Sequence, residues 1–554
     1  MRHFISYIIL LVVVAGCSKS SEPDPVPPPP TPSALRNTTW SVNGEQGRAS
    51  YVNTTTIPTI RFGFSTAIDR ATVASGISLR ENSGTIVPYT ITWQPGDSVL
   101  LVQPTQPLKN ITKHILSLTT QLKSAGGRNL DQSRSITIIT RIDSTRKFPL
   151  ISDDALLDKV QRQTFKYFWD YAHPVSGLAR ERTNWQDNIV TTGGSGFGIL
   201  AIITGIHRGF ITRAEGLARM RTIAGFLRNT AVRINGAYPH WMNGTTGAIV
   251  PFSQTDDGAD LVETSYLIQG LLTARQYFSG AGEEELLRND INNIWDGVRW
   301  NFFQNGQNVL YWHWSSTHQF AMNLPVKGWN EALITYILAA SSNTHALPPA
   351  VYHNGWASNG NMRNGATYYG HVLPLGPDRG GPMFLSQYSF LGIDPNGLAD
   401  TYADYSVQTR NHALINYEYS KANPQGFFGY SDSTWGLTAS DIPGGYAASS
   451  PTNDKGVIAP TAALASFPYT PQESMKALRF YYYVLGDRIF REYGFVDAFS
   501  LHEAWFADSF LAIDQGPIIA MIENHRSGLL WDLFTSCPEI KNGMRTLGFT
   551  APYL

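Results

Sequence analysis

The sequence predicts a mainly α-helical protein in which a small β-sandwich precedes a large helical domain. Short β-type runs separated by turn signals fill residues 40–145, and apolar residues recur at helical spacing over residues 146–554. No internal sequence repeat is visible, which favours a closed toroid of helical hairpins over an open helical solenoid. With 554 residues, the chain is long enough to bury a large core.

The N-terminus predicts export and a lipid anchor. Arg2 precedes an apolar run over residues 4–14 that is too short to span a bilayer, and small residues lead up to Cys17. Residues 1–17 therefore resemble a bacterial lipoprotein signal in which Cys17 becomes lipid-modified and attaches the protein to a membrane. We expect an outer-membrane lipoprotein on the periplasmic or cell-surface face, with an ordinary secretory signal as the alternative. Because Cys537 is the only other cysteine, no disulfide is expected.

Composition narrows the class of partner. Residues 18–39 are rich in proline and are interpreted as an extended tether. The net charge is −1 and charged residues make up 15% of the chain, against ~25% in typical soluble domains, so a nucleic-acid partner is excluded. Aromatic residues at 12% and 49 glycines favour a sugar-binding surface of flat rings and tight loops. We expect a monomer that needs no cofactor.

Residues 40–145 are predicted to form an Ig-like β-sandwich that acts as a spacer. Their spacing of short strands and turns is typical of such a fold. A carbohydrate-binding role for Trp93 is the alternative to a structural one. The predicted strands are residues 59–64, 76–80, 86–93, 98–102, 113–118 and 135–140.

Residues 146–554 are predicted to form the helical domain, with long loops between helices. Loops of this length in a compact domain are usually functional. The predicted helices are residues 155–171, 196–206, 213–229, 260–278, 283–303, 330–340, 398–419, 472–490 and 516–534.

Several familiar motifs are excluded. The glycine-rich stretch over residues 193–198 lacks the spacing of a dinucleotide loop and of a nucleophile elbow. No Walker lysine, H-E-x-x-H or C-x-x-C occurs in the chain. His240, His313 and His318 have no metal-ligand spacing, so hydrogen-bonding roles are favoured and no metal site is predicted. Chemistry based on carboxyl groups remains.

The first carboxylate group is the run Asp256, Asp257, Asp260 and Glu263 at the start of an apolar helical pattern. On a helix, Asp256, Asp260 and Glu263 would share one face. Asp257 is interpreted as the helix N-cap, and Asp260 could also complete a capping arrangement. Acids beside a buried apolar stripe are costly for a core, so Asp260 and Glu263 are assigned to function.

Two further acids are candidates for catalysis. Glu331 follows Trp329 at the end of an apolar stripe, where burial raises a carboxyl pKa while the helix dipole opposes that rise. Asp514 lies between an apolar run and a Gly-Pro pair that is predicted to open a helix near Pro517, with a role as N-cap as the alternative. Asp508 is the second choice in that segment.

These residues carry a resemblance to a known family. From about residue 151 onward the chain is similar to the bacterial glucoamylase-like family, which includes the β-1,2-glucanases of glycoside hydrolase family 144. That resemblance implies an (α/α)6 toroid with the substrate groove on a face built from loops. The matching blocks are residues 193–198, 240–241, 257–264, 311–315, 330–332, 388–392, 435–441, 459–463 and 513–517.

The resemblance implies hydrolysis of β-1,2-linked glucose chains with inversion, by an acid and a base that act as a pair. It implies Glu331 as the general acid and Asp514 as the general base, ahead of Asp508. It also allows the base to reach its water through a substrate hydroxyl. Asp256, Asp260 and Glu263 would bind hydroxyls or help to organise that water.

A sugar site also needs aromatic faces and polar edges. Two other functions stay open: an α-glucan hydrolase, and a non-catalytic surface protein that binds glycans. The predicted substrate-binding residues are His240, Trp241, Trp312, Trp314, Arg379, Tyr388, Trp435 and Asp508, together with Asp256.

Overall fold

The structure is a computed structural model that describes residues 34–554. The predicted signal, the lipidation site Cys17 and most of the predicted tether lie outside the described residues. Among residues 34–554, none of the helices combines the length and the apolar character needed to cross a bilayer.

The N-terminal domain is a sandwich of two β-sheets. The five-stranded sheet has the order β2-β1-β4-β7-β6, and the four-stranded sheet has the order β3-β9-β8-β5, in which β3 and β9 run parallel. The elements are β1 (Asn37–Val42), β2 (Glu45–Gln46), β3 (Ser50–Thr54), β4 (Ile60–Phe64), helix α1 (Val73–Gly76), β5 (Ile77–Glu81), β6 (Tyr89–Trp93), β7 (Val99–Pro104), β8 (Lys113–Leu118) and β9 (Arg134–Thr140).

Alternating apolar residues of the two sheets form the sandwich core, which includes Phe62, Leu100 and Ile138. The first strand begins at Asn37, within the segment that the sequence assigned to the tether, because its backbone pairs with β4. Trp93 packs on this core, with the Arg70 guanidinium 4.9 Å from its ring centre. The structural interpretation of Trp93 therefore agrees with its packing.

The rest of the described chain is mainly helical. The helices are α2 (Asp153–Trp169), α3 (Thr192–His207), α4 (Arg213–Asn229), α5 (Leu261–Tyr277), α6 (Glu283–Asp296), α7 (Leu333–Ser341), α8 (Pro349–Val351), α9 (Tyr405–Ala422), α10 (Pro460–Leu464), α11 (Pro471–Tyr483), α12 (Gly486–Ile489), α13 (Ala512–Ser527), α14 (Leu529–Thr535) and α15 (Pro538–Thr546). Each of the nine predicted helical runs overlaps at least one of these helices.

The helices form two concentric layers, which is the predicted (α/α)6 toroid. The inner ring consists of α3, α5, α7, the short 3-10 segment Ser389–Leu391, α10 and α13. Hydrogen bonds link neighbouring members of this ring. The Ile334 backbone amide donates to the Ser389 hydroxyl, and the Gln387 side-chain amide, next to the 3-10 segment, donates to the Ala462 carbonyl. The outer layer consists of α2, α4, α6, α9, α11 and α15.

The glycine-rich stretch at the start of α3 allows close packing of the inner ring. A Cβ on Gly196 would lie 2.2 Å from the Tyr266 carbonyl oxygen of α5, and a Cβ on Gly193 would lie 2.5 Å from Oε2 of Glu263. Any larger residue would push α3 and α5 apart. Helix packing therefore explains the glycines that resembled a nucleotide-binding loop.

Short pairs of β-strands lie in the loops between the helices. They are β10 (Ile189–Thr191), β11 (Trp241–Asn243) and β12 (Ile249–Val250) in one sheet, and the pairs β13 (Ala259–Asp260) with β14 (His313–Trp314), β15 (Thr367–Tyr368) with β16 (His371–Val372), β17 (Ala439–Ile442) with β18 (Gly445–Ala448), β19 (Phe490–Arg491) with β20 (Gly494–Phe495), and β21 (Phe499–Ser500) with β22 (Trp505–Phe506).

The β-sandwich packs directly against the helical domain. Ile111 of the sandwich is 5% exposed and belongs to an apolar cluster of the helical domain. Its φ of 46° is rare for a β-branched residue. An ion pair of 2.9 Å between Lys113 and Glu503 lies in the same interface. The sandwich thus precedes the toroid in the chain and also packs against it.

Candidate active site

The N-terminal ends of several inner helices converge on one pocket. Its volume is about 400 Å³, and residues beside the starts of α3, α5, α7 and α13 line it. Its polar wall includes Glu181, His240, Glu263 and Glu331. The pocket therefore brings together acids that are far apart in the sequence.

Asp260 is the N-cap of α5. One carboxylate oxygen accepts hydrogen bonds from the Val262 and Glu263 amides, at 2.9 and 2.8 Å. The other accepts from His240 Nδ1 and Trp312 Nε1, both at 3.1 Å. Asp260 is fully buried, so it positions its neighbours and does not itself face the pocket. The prediction that Asp257 caps this helix is wrong, because the helix begins only at Leu261.

Asp256 does not share a helical face with Asp260 and Glu263, because it lies in the loop before α5. It is 6% exposed, and one of its oxygens lies 3.4 Å from His313 Nε2. Burial, followed by the negative charge of Asp260, raises the pKa of Asp256 to about 6. Asp256 is thus not among the residues that line the pocket.

His240 supplies a positive charge to this group of acids. Burial disfavours its charged form, but the negative charges of Glu263 and Asp260 outweigh burial and raise its pKa to about 10. Ligand atoms of His240, Asp256 and Asp260 lie within 4.8 Å of one another, a spacing that could hold a cation. Both Asp260 oxygens already accept two hydrogen bonds each, however, and His240 Nδ1 is one of the donors. A protonated histidine fits this pattern better than a metal.

Glu263 lies in the first turn of α5 and is 6% exposed. Its Oε2 accepts a hydrogen bond of 2.7 Å from the Gly193 amide at the start of α3. Burial is the largest influence and raises the pKa of Glu263 to about 7. Glu263 is thus a rigidly held carboxyl group on the pocket wall.

Glu331 lies in a turn, two residues before α7 begins at Leu333. Its backbone carbonyl accepts hydrogen bonds from the hydroxyls of Tyr266 and Ser389, which hold the turn in place. The side chain lines the pocket, and burial raises its pKa to about 7. The pKa argument from sequence is correct, although Glu331 precedes the helix and does not sit on its apolar face.

Asp514 lies in the first turn of α13, which already begins at Ala512 and contains Pro517. Asp514 therefore does not cap a helix that begins near Pro517. It is 1% exposed, and neither of its oxygens has a hydrogen-bond partner among the described residues. Its neighbours Leu511 and Ile513 line the pocket, but Asp514 itself does not. A buried carboxyl group without hydrogen-bond donors favours its neutral form, because desolvation disfavours the charge.

Asp497 is a second buried acid, and its charge acts on Asp514. Burial, followed by the negative charge of Asp497, raises the pKa of Asp514 well above its ordinary range, and burial raises the pKa of Asp497 to about 6. Asp497 also accepts a hydrogen bond of 2.6 Å from the Asp441 amide. Asp441 in turn accepts from the Arg182 guanidinium and, at 2.5 Å, from the Ser509 hydroxyl. Sequence reasoning missed Asp497, because no motif marks its partnership with Asp514.

Glu181 is a second residue that sequence reasoning missed. It lies on the pocket wall, where its Oε2 accepts a hydrogen bond of 3.1 Å from Trp241 Nε1. Its backbone is held on both sides, since its amide donates to Ile189 and its carbonyl accepts from Ala512. Burial raises its pKa. The charged triplet Arg180-Glu181-Arg182 in a loop of a weakly charged chain was the available signal.

The aromatic predictions divide into two groups. Trp241, Trp312 and Tyr388 line the pocket, and their contact with substrate stays a prediction. Trp435 is fully buried, and its indole N–H donates to the Glu473 carbonyl, so its assignment to the substrate is wrong. Trp314 packs against Phe302 and the helical core, with ring centres 5.4 Å apart, and does not line the pocket.

Arg379 and Asp508 also lie outside the pocket lining. Arg379 forms an ion pair of 3.0 Å with its neighbour Asp378, and its side chain is 40% exposed. Asp508 accepts a hydrogen bond of 3.1 Å from the Asn184 side chain. Asp508 is thus a surface residue, which leaves Asp514 as the better candidate for a base.

Comparisons with known proteins identify the family of this chain. A family model described as "Putative glucoamylase" matches residues 323–538, and a model of a bacterial Ig-like domain matches residues 37–139. A solved structure from Bacteroides uniformis with the same glucoamylase description is 54% identical, with a TM-score of 0.73, and the match covers 74% of this chain and 100% of that one. The chain belongs to the glucoamylase-like family.

Other members of the glucoamylase-like family have assigned activities. The endo-β-1,2-glucanase of Chitinophaga pinensis is 51% identical, with a TM-score of 0.72, and the match covers 73% of this chain and 100% of that one. An exo-β-1,2-glucooligosaccharide sophorohydrolase of Parabacteroides distasonis is 44% identical over 427 residues, which are 73% of this chain. This chain spans 59% of the length of that relative.

Proposed function

We propose that this protein is a glycoside hydrolase that cleaves β-1,2-linked glucan or its oligosaccharides with inversion. The observation that carries the proposal is the pocket itself, in which the half-buried acid Glu331 shares the wall with Ile513, the neighbour of the buried Asp514 in α13. An inverting glycosidase needs one protonated and one ionised carboxyl group. The proposed β-1,2 linkage of the substrate is supported by two relatives that act on β-1,2-linked glucans.

In the proposed reaction, Glu331 donates its proton to the glycosidic oxygen as the bond to the leaving sugar breaks. A carboxyl group with a pKa of about 7 is protonated in about half of the molecules at neutral pH, so it can act as this acid. Positive charge develops on the sugar ring in the transition state, and the carboxylates on the pocket wall stabilise it.

A water molecule attacks the opposite face of the sugar ring and loses a proton to the ionised member of the Asp497–Asp514 pair, directly or through a substrate hydroxyl. Each turnover therefore removes one proton from Glu331 and adds one to the pair, and exchange with solvent restores both. His240 carries a positive charge beside Glu263 and keeps that side of the pocket from accumulating negative charge.

Product analysis tests the proposal. Purified protein is incubated with β-1,2-glucan and, separately, with starch, and the anomeric form of the first products is followed by NMR. We expect shorter β-1,2-linked products that appear first as the α-anomer, and no products from starch. Cleavage of starch alone would contradict the linkage, and a β-anomer as first product would contradict inversion.

We also propose that Cys17 anchors the protein to the outer membrane. The support is the apolar run over residues 4–14 and the small residues that precede Cys17. We expect the wild-type chain to sediment with membranes and to incorporate a labelled fatty acid, and the Cys17→Ala variant to lose the label. A labelled Cys17→Ala variant would contradict this assignment.

A further inference from the structure

A second recess adjoins the catalytic pocket. Its volume is about 350 Å³, and Glu181, Arg182, Asn184, Trp185 and Trp241 line it. Glu181, Arg182 and Trp241 also line the catalytic pocket, so the two spaces share a wall. The volume lies within the range of ~300–1,000 Å³ that is usual for small-molecule sites.

A row of aromatic rings, two of them exposed, extends from the recess to His240. Trp185 is 39% exposed, and its ring centre lies 4.7 Å from that of Trp241. Trp241 lies 4.7 Å from Phe252, which is 48% exposed and lies 4.3 Å from His240. None of the three rings belongs to the apolar clusters of the described helical domain. Core packing therefore does not account for them, and exposed apolar rings of this kind mark a binding surface.

The polar groups of the recess are held in place before any ligand binds. The Arg182 Nε–H donates to the Asn184 side-chain oxygen at 2.7 Å, and the Asn184 amide donates to Asp508 at 3.1 Å. The backbone of the same loop is tied to the segment before α13, because the Thr183 amide donates to the Phe510 carbonyl at 3.1 Å. Such a fixed arrangement lowers the entropic cost of binding.

The charges of the recess favour an uncharged ligand. The Arg182 guanidinium is already paired with Asp441, and Asn184 is neutral. The remaining acid, Glu181, accepts from Trp241 with one oxygen. Flat rings beside hydrogen-bonding side chains match the apolar faces and hydroxyl edges of a sugar.

We propose that this recess is an outer glucosyl subsite in which Trp185 stacks on a glucosyl residue of a chain that continues from the catalytic pocket. Asn184 and Glu181 bind hydroxyls of that residue. This inference rests on the proposed function, because the ligand is the same β-1,2-glucan chain. It implies that substrates long enough to reach Trp185 are preferred over shorter ones.

The test is a chain-length series with the full chain. For β-1,2-gluco-oligosaccharides of increasing length, kcat/KM is measured with the wild type, Trp185→Ala and Trp185→Phe. We expect Trp185→Ala to lower the ratio of kcat/KM between long and short substrates by roughly tenfold, mainly through KM, since one aromatic contact contributes about that factor. Trp185→Phe keeps a ring and should retain most of the ratio.

Tyr369 provides a matched control, because it is 42% exposed but lines neither space. Tyr369→Ala should keep the wild-type ratio. The subsite would be overturned if Trp185→Ala lost activity equally on substrates of every length. It would also be overturned if the variant lost no activity on any of them.

Calorimetric titration of the same oligosaccharides into Glu331→Gln separates this inference from the proposed function. Length-dependent binding that Trp185→Ala weakens would support the subsite even if the wild type cleaved nothing. Absence of binding at every length would overturn both.

Discussion

The Glu331→Gln variant is expected to lose roughly 10³-fold in kcat on β-1,2-glucan, because general-acid catalysis typically contributes ~10²–10⁴-fold. Glutamine keeps the size of the side chain but cannot donate a proton to the glycosidic oxygen. The measurement is the steady-state release of reducing ends, together with a binding titration. Substrate should still bind, since the rest of the pocket is unchanged.

The pH dependence of the wild type provides the matching control. Burial raises the pKa of Glu331 to about 7, so kcat/KM should fall as the pH rises above about 7 and the acid loses its proton. The residual activity of Glu331→Gln should lack this alkaline limb. A variant that keeps full activity, or keeps the same limb, would remove Glu331 from the role of acid.

The same substitution should stabilise the fold at alkaline pH. Folding raises the pKa of Glu331 from 4.5 to about 7, so the folded protein binds more protons than the unfolded chain within that interval. The contribution of Glu331 to the free energy of unfolding is therefore complete below pH 4.5 and is lost as the pH rises to 7. We expect Glu331→Gln to raise Tm by roughly 2–4 °C at pH 8 and to leave it nearly unchanged at pH 4.

The Asp514→Asn variant is expected to lose roughly 10³-fold in kcat, the middle of the range for loss of a general base. Asparagine cannot take up a proton, so the proposed pair with Asp497 can no longer receive the one that the attacking water releases. The measurement is kcat on β-1,2-glucan, with circular dichroism to confirm that the variant is folded.

Asp508→Asn is the matched comparison, because it makes the same change at the neighbouring candidate. Asp508 is exposed and bonds only to Asn184 among the described residues, so we expect its substitution to lower kcat by less than about tenfold, the size of one lost hydrogen bond. If Asp508→Asn proved the more damaging of the two, the base would have to be reassigned to Asp508.

Local pattern was sufficient for most of the secondary structure. Helix α4 (Arg213–Asn229) and strand β8 (Lys113–Leu118) have the bounds that the sequence predicted, because an amphipathic period within one element marks both its type and its ends. Strand β3 (Ser50–Thr54) was not predicted, since its polar residues carry little strand signal and its place depends on parallel pairing with β9.

The start of α5 also shows which features of the site local sequence predicts and which depend on tertiary structure. Residue type alone predicted that Asp260 and Glu263 belong to one site. Glu263 lines the pocket, whereas the buried Asp260 caps α5 and contacts the lining residue His240. Asp260, and not the predicted Asp257, is the N-cap of α5. The reason is that β13 directly precedes the helix, and β13 pairs with β14 more than fifty residues later in the chain. A cap depends on where the helix begins, and here a distant strand decides that.

The amino-acid sequence was enough to predict the helical domain, the preceding sandwich and, through matching sequence blocks, the family, because periodicity and residue chemistry are local properties of a chain; the catalytic roles of Glu331 and Asp514 stay predictions. Tertiary structure was needed to remove Trp435 from the site and to add Glu181 and Asp497. Exposure and pKa depend on which distant residues fold against a side chain, and the inner ring of helices brings those residues together from nearly the whole length of the helical domain.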